Sequence, residues 1–153
     1  MNSVKHMVDS PVCVEIIDEP IEWDRYQHCL ANPDVGAHAW FYGVTRRTTD
    51  GRVTELLHYE AHREMALRQM HLIADESIKR FCLEAVVMVH RLGDVPIGQA
   101  SVLVGCCSAH RPESFAALPW MMEQLKKDVP IWKKEYGSHG TQDWVHPVDS
   151  GDQ

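Results

Sequence analysis

Positive charge is scarce in this chain: 15 Lys+Arg stand against 22 Asp+Glu, a formal net charge of −7. General binding to nucleic acid asks for the opposite balance and is excluded as an expectation. Long apolar runs are missing too. No stretch approaches the ~20 residues that cross a bilayer, and the amino terminus lacks the hydrophobic region of a signal peptide. The expected compartment is therefore the cytoplasm. The five cysteines, Cys13, Cys29, Cys82, Cys106 and Cys107, contain no Cys-x-x-Cys pair. That pattern suits reduced thiols, not a disulfide framework. Repeats and low-complexity linkers are absent, so one domain is expected over residues 1–153, with loose termini at 1–11 and 146–153.

What is present is ordinary for a soluble domain, with 44% hydrophobic and 24% charged residues, in a chain long enough to bury a core. Val12–Ile17 alternates as a strand, and Ile21–Leu30 carries apolar residues at roughly helical spacing. Gly36–Arg46 and Val53–Glu60 read as two strands of a hairpin around the polar turn that holds Asp50-Gly51. Ala61–Phe81 is the clearest helix, with Met65, Leu67, Met70, Ile73, Ala74 and Ile78 as its apolar stripe. Leu83–Arg91 and Gln99–Ser108 are Val-rich strands joined by a loop. A last helix opens at Pro112, with Phe115, Leu118, Met122, Leu125 and Val129 at three- and four-residue spacing. Pro119 should kink it, and order in the tail should reach Trp144-Val145. The expected fold is α+β: a single domain whose hairpin joins the two later strands in a mostly antiparallel sheet, with two main helices packed on it.

Against the acidic background, four lysines fall within nine positions, in Lys126-Lys127-Asp128-Val129-Pro130-Ile131-Trp132-Lys133-Lys134. Pro130 has no N–H and biases Val129 away from helical angles, so the helix should stop there. Lys126 then lies in the last helical turn and Lys133 in the strand beyond, and a tight corner would point both into one cleft. The plain alternative is that lysines here only complement the helix dipole. At the other end of this helix, His110 and Arg111 add side-chain donors to a helix amino terminus, a natural anion site. Arg46 and Arg47 sit at the hairpin mouth, and a guanidinium there can hold a phosphate by two hydrogen bonds. His58-x3-His62 with Glu60 between them invites a zinc hydrolase reading. The glutamate is misplaced for His-Glu-x-x-His, however, and the stretch reads as strand.

Several of these pieces occur together in one known family. Phe41-Tyr42-Gly43-Val44-Thr45-Arg46, Tyr59-Glu60-Ala61, Glu64-Met65-Ala66, His90-Arg91-Leu92-Gly93, Ser108-Ala109-His110-Arg111 and the Lys126–Glu135 run span roughly Gly36 to Val145. The chain resembles the large, catalytic subunit of molybdopterin synthase. The resemblance implies a hammerhead-like α+β fold and a sulfurtransferase that works as a homodimer, with a small ubiquitin-like subunit at each end of a heterotetramer. It implies that the partner's Gly-Gly carboxy terminus, a thiocarboxylate, enters a pocket and passes sulfur to cyclic pyranopterin monophosphate, forming the dithiolene. No cofactor or metal of its own is implied. By position, the family's pocket falls on Phe41, Arg46, His110, Arg111 and Met122 for substrate and on Lys126 and Lys133 for catalysis. Two anions must meet there, and these cations suit that need. One departure is that no arginine follows Arg111, whereas the family often has one in its tail; the region here reads Trp144-Val145-His146-Pro147-Val148. A docking module for a ubiquitin-like partner, without catalysis, is the alternative.

Overall fold

Two runs without a polar face, Ala85–Arg91 (β5) and Ala100–Ser108 (β7), are buried along their whole length and form the centre of the molecule. They pair antiparallel, Val87 opposite Gly105. Val12–Ile17 (β1) adds to the outer side of β5 in parallel, and Ala37–Val44 (β2) to the outer side of β7 antiparallel, so the sheet reads β1-β5-β7-β2. Alternation divides the side chains of this sheet between two cores. Val86, Met88, Val104 and Cys106 face one, while Val87, Val89, Leu103 and Cys107 face the other. The adjacent cysteines thus point to opposite faces, as strand geometry requires. This computed structural model describes residues 10–137 and the backbone of 142–145. The expected loose termini lie outside that range apart from Ser10 and Pro11, and the Pro11 carbonyl already accepts the N–H of Val86 at 2.8 Å.

The first core is closed by two helices, Arg63–Phe81 (α1) and Arg111–Asp128 (α2). His62 caps α1, its ring nitrogen accepting the Met65 N–H at 3.2 Å. The buried stripe of α1 is Ala66, Met70, Ile73, Ala74 and Ser77. Met65, expected inside, is 48% exposed. In α2 Leu125 and Val129 are buried as expected and Leu118 and Met122 partly so, but earlier in the helix the buried positions are Ser114, Ala117 and Met121, whereas Phe115 is 67% exposed. The reason is close approach to β7. Ser114 meets Ser108, hydroxyl to hydroxyl at 2.6 Å, and its carbonyl accepts from the Cys106 thiol, which leaves no room for a ring. The helix continues through Pro119. The second core lies under the segment expected to be helical, Ile21–Leu30, which instead forms two 3-10 turns, Trp23–Arg25 and Gln27–Leu30.

The expected hairpin is corrected by a second sheet. Arg52–Ala61 (β4) does not pair with β2. It lies at the centre of its own sheet, with Thr48–Thr49 (β3) and Gly93–Pro96 (β6) along one edge and Ile131–Gly137 (β8) on the other, followed by Gln142–Val145 (β9). The segment from Gly93 to Gly98, expected as a loop, therefore contains a strand. Asp50-Gly51 does make a tight turn, both residues at positive φ (50° and 77°), but it joins only β3 to β4. What parts β2 from β4 is Thr45. A register irregularity at Gly43/Val44 ends β2, and Thr45 is then drawn into the interior at 2% exposure. The α+β class, the two helices and the mostly antiparallel pairing stand.

Candidate functional site

Val129 and Pro130 alone separate α2 from β8, and the Ile131 N–H turns back to the Val129 carbonyl at 2.8 Å. Lys126 and Lys133 therefore occupy the two arms of one corner. Lys126 is exposed, one helical turn after the partly buried Met122. Lys133 is half-buried, shares its strand face with the core residue Ile131, and carries an ion pair to Glu135 at 3.6 Å. Opposite it in the ladder stands Tyr59 of β4. Burial pushes the Tyr59 phenol up, partly countered by a hydrogen bond donated by Ser101. Its ring meets His90 edge-on, centroids 5.0 Å apart. His90 donates from Nδ1 to the Arg91 carbonyl at 2.9 Å, and burial lowers its pKa to about 4, so the ring is neutral at physiological pH. Lys133 thus stands beside a neutral phenol backed by a neutral imidazole, with the Glu135 carboxylate as its counter-charge. On the opposite face, Lys134 lies 5.5 Å from the Tyr136 ring, in line with Trp132, itself 39% exposed.

Arg46 lies at this same end of the first sheet. β2 begins beside Ser108 and ends beside Ala100, so Arg46 follows the strand end near Gln99. Phe41 sits midway along β2, opposite Val104 and 40% exposed. His110 and Arg111 are elsewhere. They cap the start of α2 over the Cys106–Ser108 end of β7, both exposed, with His110 making no side-chain cap bond. Gly36 backs this turn, its N–H reaching the carbonyls of Ser108 and Ala109 at 3.1 Å, where a Cβ would come within 2.6 Å of the Ala109 oxygen. Arg111 and Lys126 are separated by fifteen residues of continuous helix, roughly 22 Å at 1.5 Å per residue. Within one chain the candidates accordingly form two groups: Arg46, Lys126 and Lys133 at one end, His110 and Arg111 at the other.

A family model described as the MoaE protein matches residues 16–128. The chain belongs to the MoaE family. It is 37% identical over 131 residues to the molybdopterin synthase catalytic subunit of Staphylococcus carnosus, covering 86% of this chain and 87% of that protein. It is likewise 37% identical over 118 residues to the molybdopterin synthase catalytic subunit of Emericella nidulans, covering 77% of this chain. The match spans only 60% of the Emericella protein's length. Among solved structures, the molybdopterin synthase of Staphylococcus aureus superposes with a TM-score of 0.81 at 35% identity, covering 86% of this chain and 95% of that one.

In this MoaE-family fold the zinc pattern dissolves into separate tasks. His58 lies on β4 with Nδ1 2.6 Å from Asp94 and Nε2 3.4 Å from Glu60, while His62 caps α1. Among the described residues no helix is long and apolar enough to cross a membrane. Sequence reasoning missed Tyr59, His90 and Glu135 as neighbours of the lysine corner. For Glu135 a signal existed, since Lys133-x-Glu135 places opposite charges on one strand face. Tyr59 is brought there by the β4–β8 register, and His90 of β5 meets it through a ring contact between the two sheets.

Proposed function

We propose that this chain is the catalytic subunit of a molybdopterin synthase: it moves sulfur from the thiocarboxylated Gly-Gly terminus of a small ubiquitin-like subunit to cyclic pyranopterin monophosphate, building the dithiolene. The observation that carries this reading is the α2–β8 corner of a MoaE-family chain, which sets Lys126 and Lys133 on adjoining arms, with Tyr59 beside Lys133 and His90 behind Tyr59. Both reactants are anions, and low-dielectric walls strengthen the attraction of each ammonium for them. In this reading Lys126 and Lys133 bind and neutralise the thiocarboxylate and the reacting pterin, and Glu135 keeps the Lys133 ammonium in place. Arg46 binds the substrate at the same end, with Phe41 further along β2 and Met122 along the wall. The sulfur arrives on the partner, so no thiol of this chain takes part. The cytoplasm is the compartment we assign.

His110 and Arg111 are assigned to the pterin's phosphate, because a helix amino terminus and two donors favour an anion. A pterin monophosphate is shorter than the ~22 Å between the ends of α2. A site that uses both ends must draw its phosphate end from a second copy, which supports a homodimer carrying one small subunit on each protomer. The test is single-turnover sulfur transfer with purified chain, thiocarboxylated small subunit and cyclic pyranopterin monophosphate. Formation of the dithiolene product is expected. Tight partner binding with no product at any substrate concentration would reduce this chain to a docking module.

A further inference from the structure

Arg91 is a buried cation without a carboxylate. It is 7% exposed, and it takes part in none of the ion pairs among the described residues. Its two acceptors are neutral: Nη1 donates to the Gln99 side-chain oxygen at 2.7 Å and Nη2 to the Asp94 carbonyl at 2.9 Å. The Nε–H is buried with no acceptor. Burying a guanidinium this way is costly, since neutral acceptors return less than a carboxylate would. What the arrangement secures is geometric. The forked guanidinium spans the two shoulders of the β6 turn, Asp94 at its start and Gln99 after its end.

That turn in turn grips one residue. Thr45 N–H donates to the Gln99 carbonyl at 2.9 Å, Gly98 N–H donates to the Thr45 carbonyl at 2.9 Å, and the Thr45 hydroxyl donates to the Val95 carbonyl at 3.3 Å. The next residue is Arg46, exposed and beyond the end of β2. We propose that Arg91 is a positioning residue for Arg46: by bridging Asp94 and Gln99 it rigidifies the turn that clasps Thr45, and so fixes where the Arg46 guanidinium meets the substrate anion. The inference rests on the reading that Arg46 binds substrate. Lysine cannot replace Arg91 in this role, because a single ammonium does not present two parallel donors in a fixed fork.

The test is a kinetic and exchange comparison on the full chain assembled with its thiocarboxylated small subunit, using cyclic pyranopterin monophosphate as substrate. Arg46→Ala, Arg91→Lys and the double variant are measured. Arg91→Lys should raise KM about tenfold with kcat within about twofold, the effect of a displaced binding group. The double variant should be no worse than Arg46→Ala alone, since a residue acting only through Arg46 has nothing left to position. Amide exchange at Thr45 and Gly98 should quicken at least ~10-fold in Arg91→Lys. If that variant fails to fold, Gln99→Ala removes only the side-chain acceptor and should shift KM and exchange in the same direction. An unchanged KM in Arg46→Ala overturns the assignment of Arg46 itself. Multiplying losses, or a lowered melting temperature with KM and Thr45 exchange unmoved, overturn the role of Arg91 while that assignment survives.

Discussion

His90 is neutral in the folded protein because burial lowers its pKa from 6.5 to about 4. The unfolded chain takes up a proton at higher pH than the folded one, so its share of stability is complete above pH 6.5 and is lost as pH falls toward 4. The loss should be about 3 kcal/mol, read as a falling urea midpoint between neutral pH and pH 4, and His90→Leu should flatten that limb. The lysines divide by face. Lys126→Ala should slow sulfur transfer on the order of 10²–10³-fold while partner binding changes little. Lys127→Ala and Lys134→Ala should keep nearly full rates, and equal losses at all these positions would mean a diffuse electrostatic patch. Arg111→Ala should weaken pterin phosphate binding in calorimetry and leave small-subunit binding intact; unchanged affinity would move the phosphate toward Arg46. The buried thiols stay out of the chemistry for a physical reason: burial raises Cys106 to about 11 and Cys107 likewise upward, so neither is a thiolate at neutral pH.

The helices show how backbone and packing trade against each other. α1 ends at Cys82 in the left-handed region, φ 55° and ψ 48°, a conformation that suits glycine and strains a side chain with a Cβ. Cys82 is exposed, so removing its side chain forfeits little packing. Cys82→Gly should therefore stabilise the protein by about 1 kcal/mol and raise Tm by a few degrees; a lower Tm would show that the thiol has a partner worth more than the strain. In α2 the apolar spacing of Phe115, Leu118, Met122 and Leu125 was legible, and the helix is where it was expected. Its phase was legible toward the end, at Leu125 and Val129, but not at the start, because Ser114 and Ala117 are small enough to approach β7 and polarity scales do not reward smallness. Proximity of Ser108 and Cys106 decides the matter, and those residues lie on another element.

Across the whole molecule, the two ends of α2 make the strongest demand on assembly. If one site takes Lys126 from one protomer and Arg111 from its partner, two inactive variants should complement each other. Mixing Arg111→Ala and Lys126→Ala chains, with unfolding and refolding to exchange protomers, should restore about a quarter of wild-type turnover, since half the dimers are mixed and each holds one intact site. A mixture as inactive as either parent would confine the site to a single chain.

Elements and chemistry were legible wherever the deciding forces act over a few residues. Pro130 ends a helix by itself, so the corner with Lys126 and Lys133 could be read from spacing. Val-rich runs announced β5 and β7, and Asp50-Gly51 announced a tight turn. Strand partnership is another kind of quantity. β2 and β4 are adjacent in sequence and each looks fit to pair with the other, yet Thr45 finds three hydrogen bonds in the Val95–Gln99 turn, and that distant clasp sends the chain into a second sheet. The same non-local pairing sets Tyr59 beside Lys133 and stretches Arg91 between Asp94 and Gln99. The sequence alone determined the two long helices, the Val-rich strands and which residues can carry anion chemistry, but not the 3-10 turns of Ile21–Leu30 or the β6 strand, which exist only through their tertiary partners. Only the tertiary structure decided which of those residues share an end of the molecule, because that depends on contacts between groups tens of residues apart, whose free energy no local pattern contains.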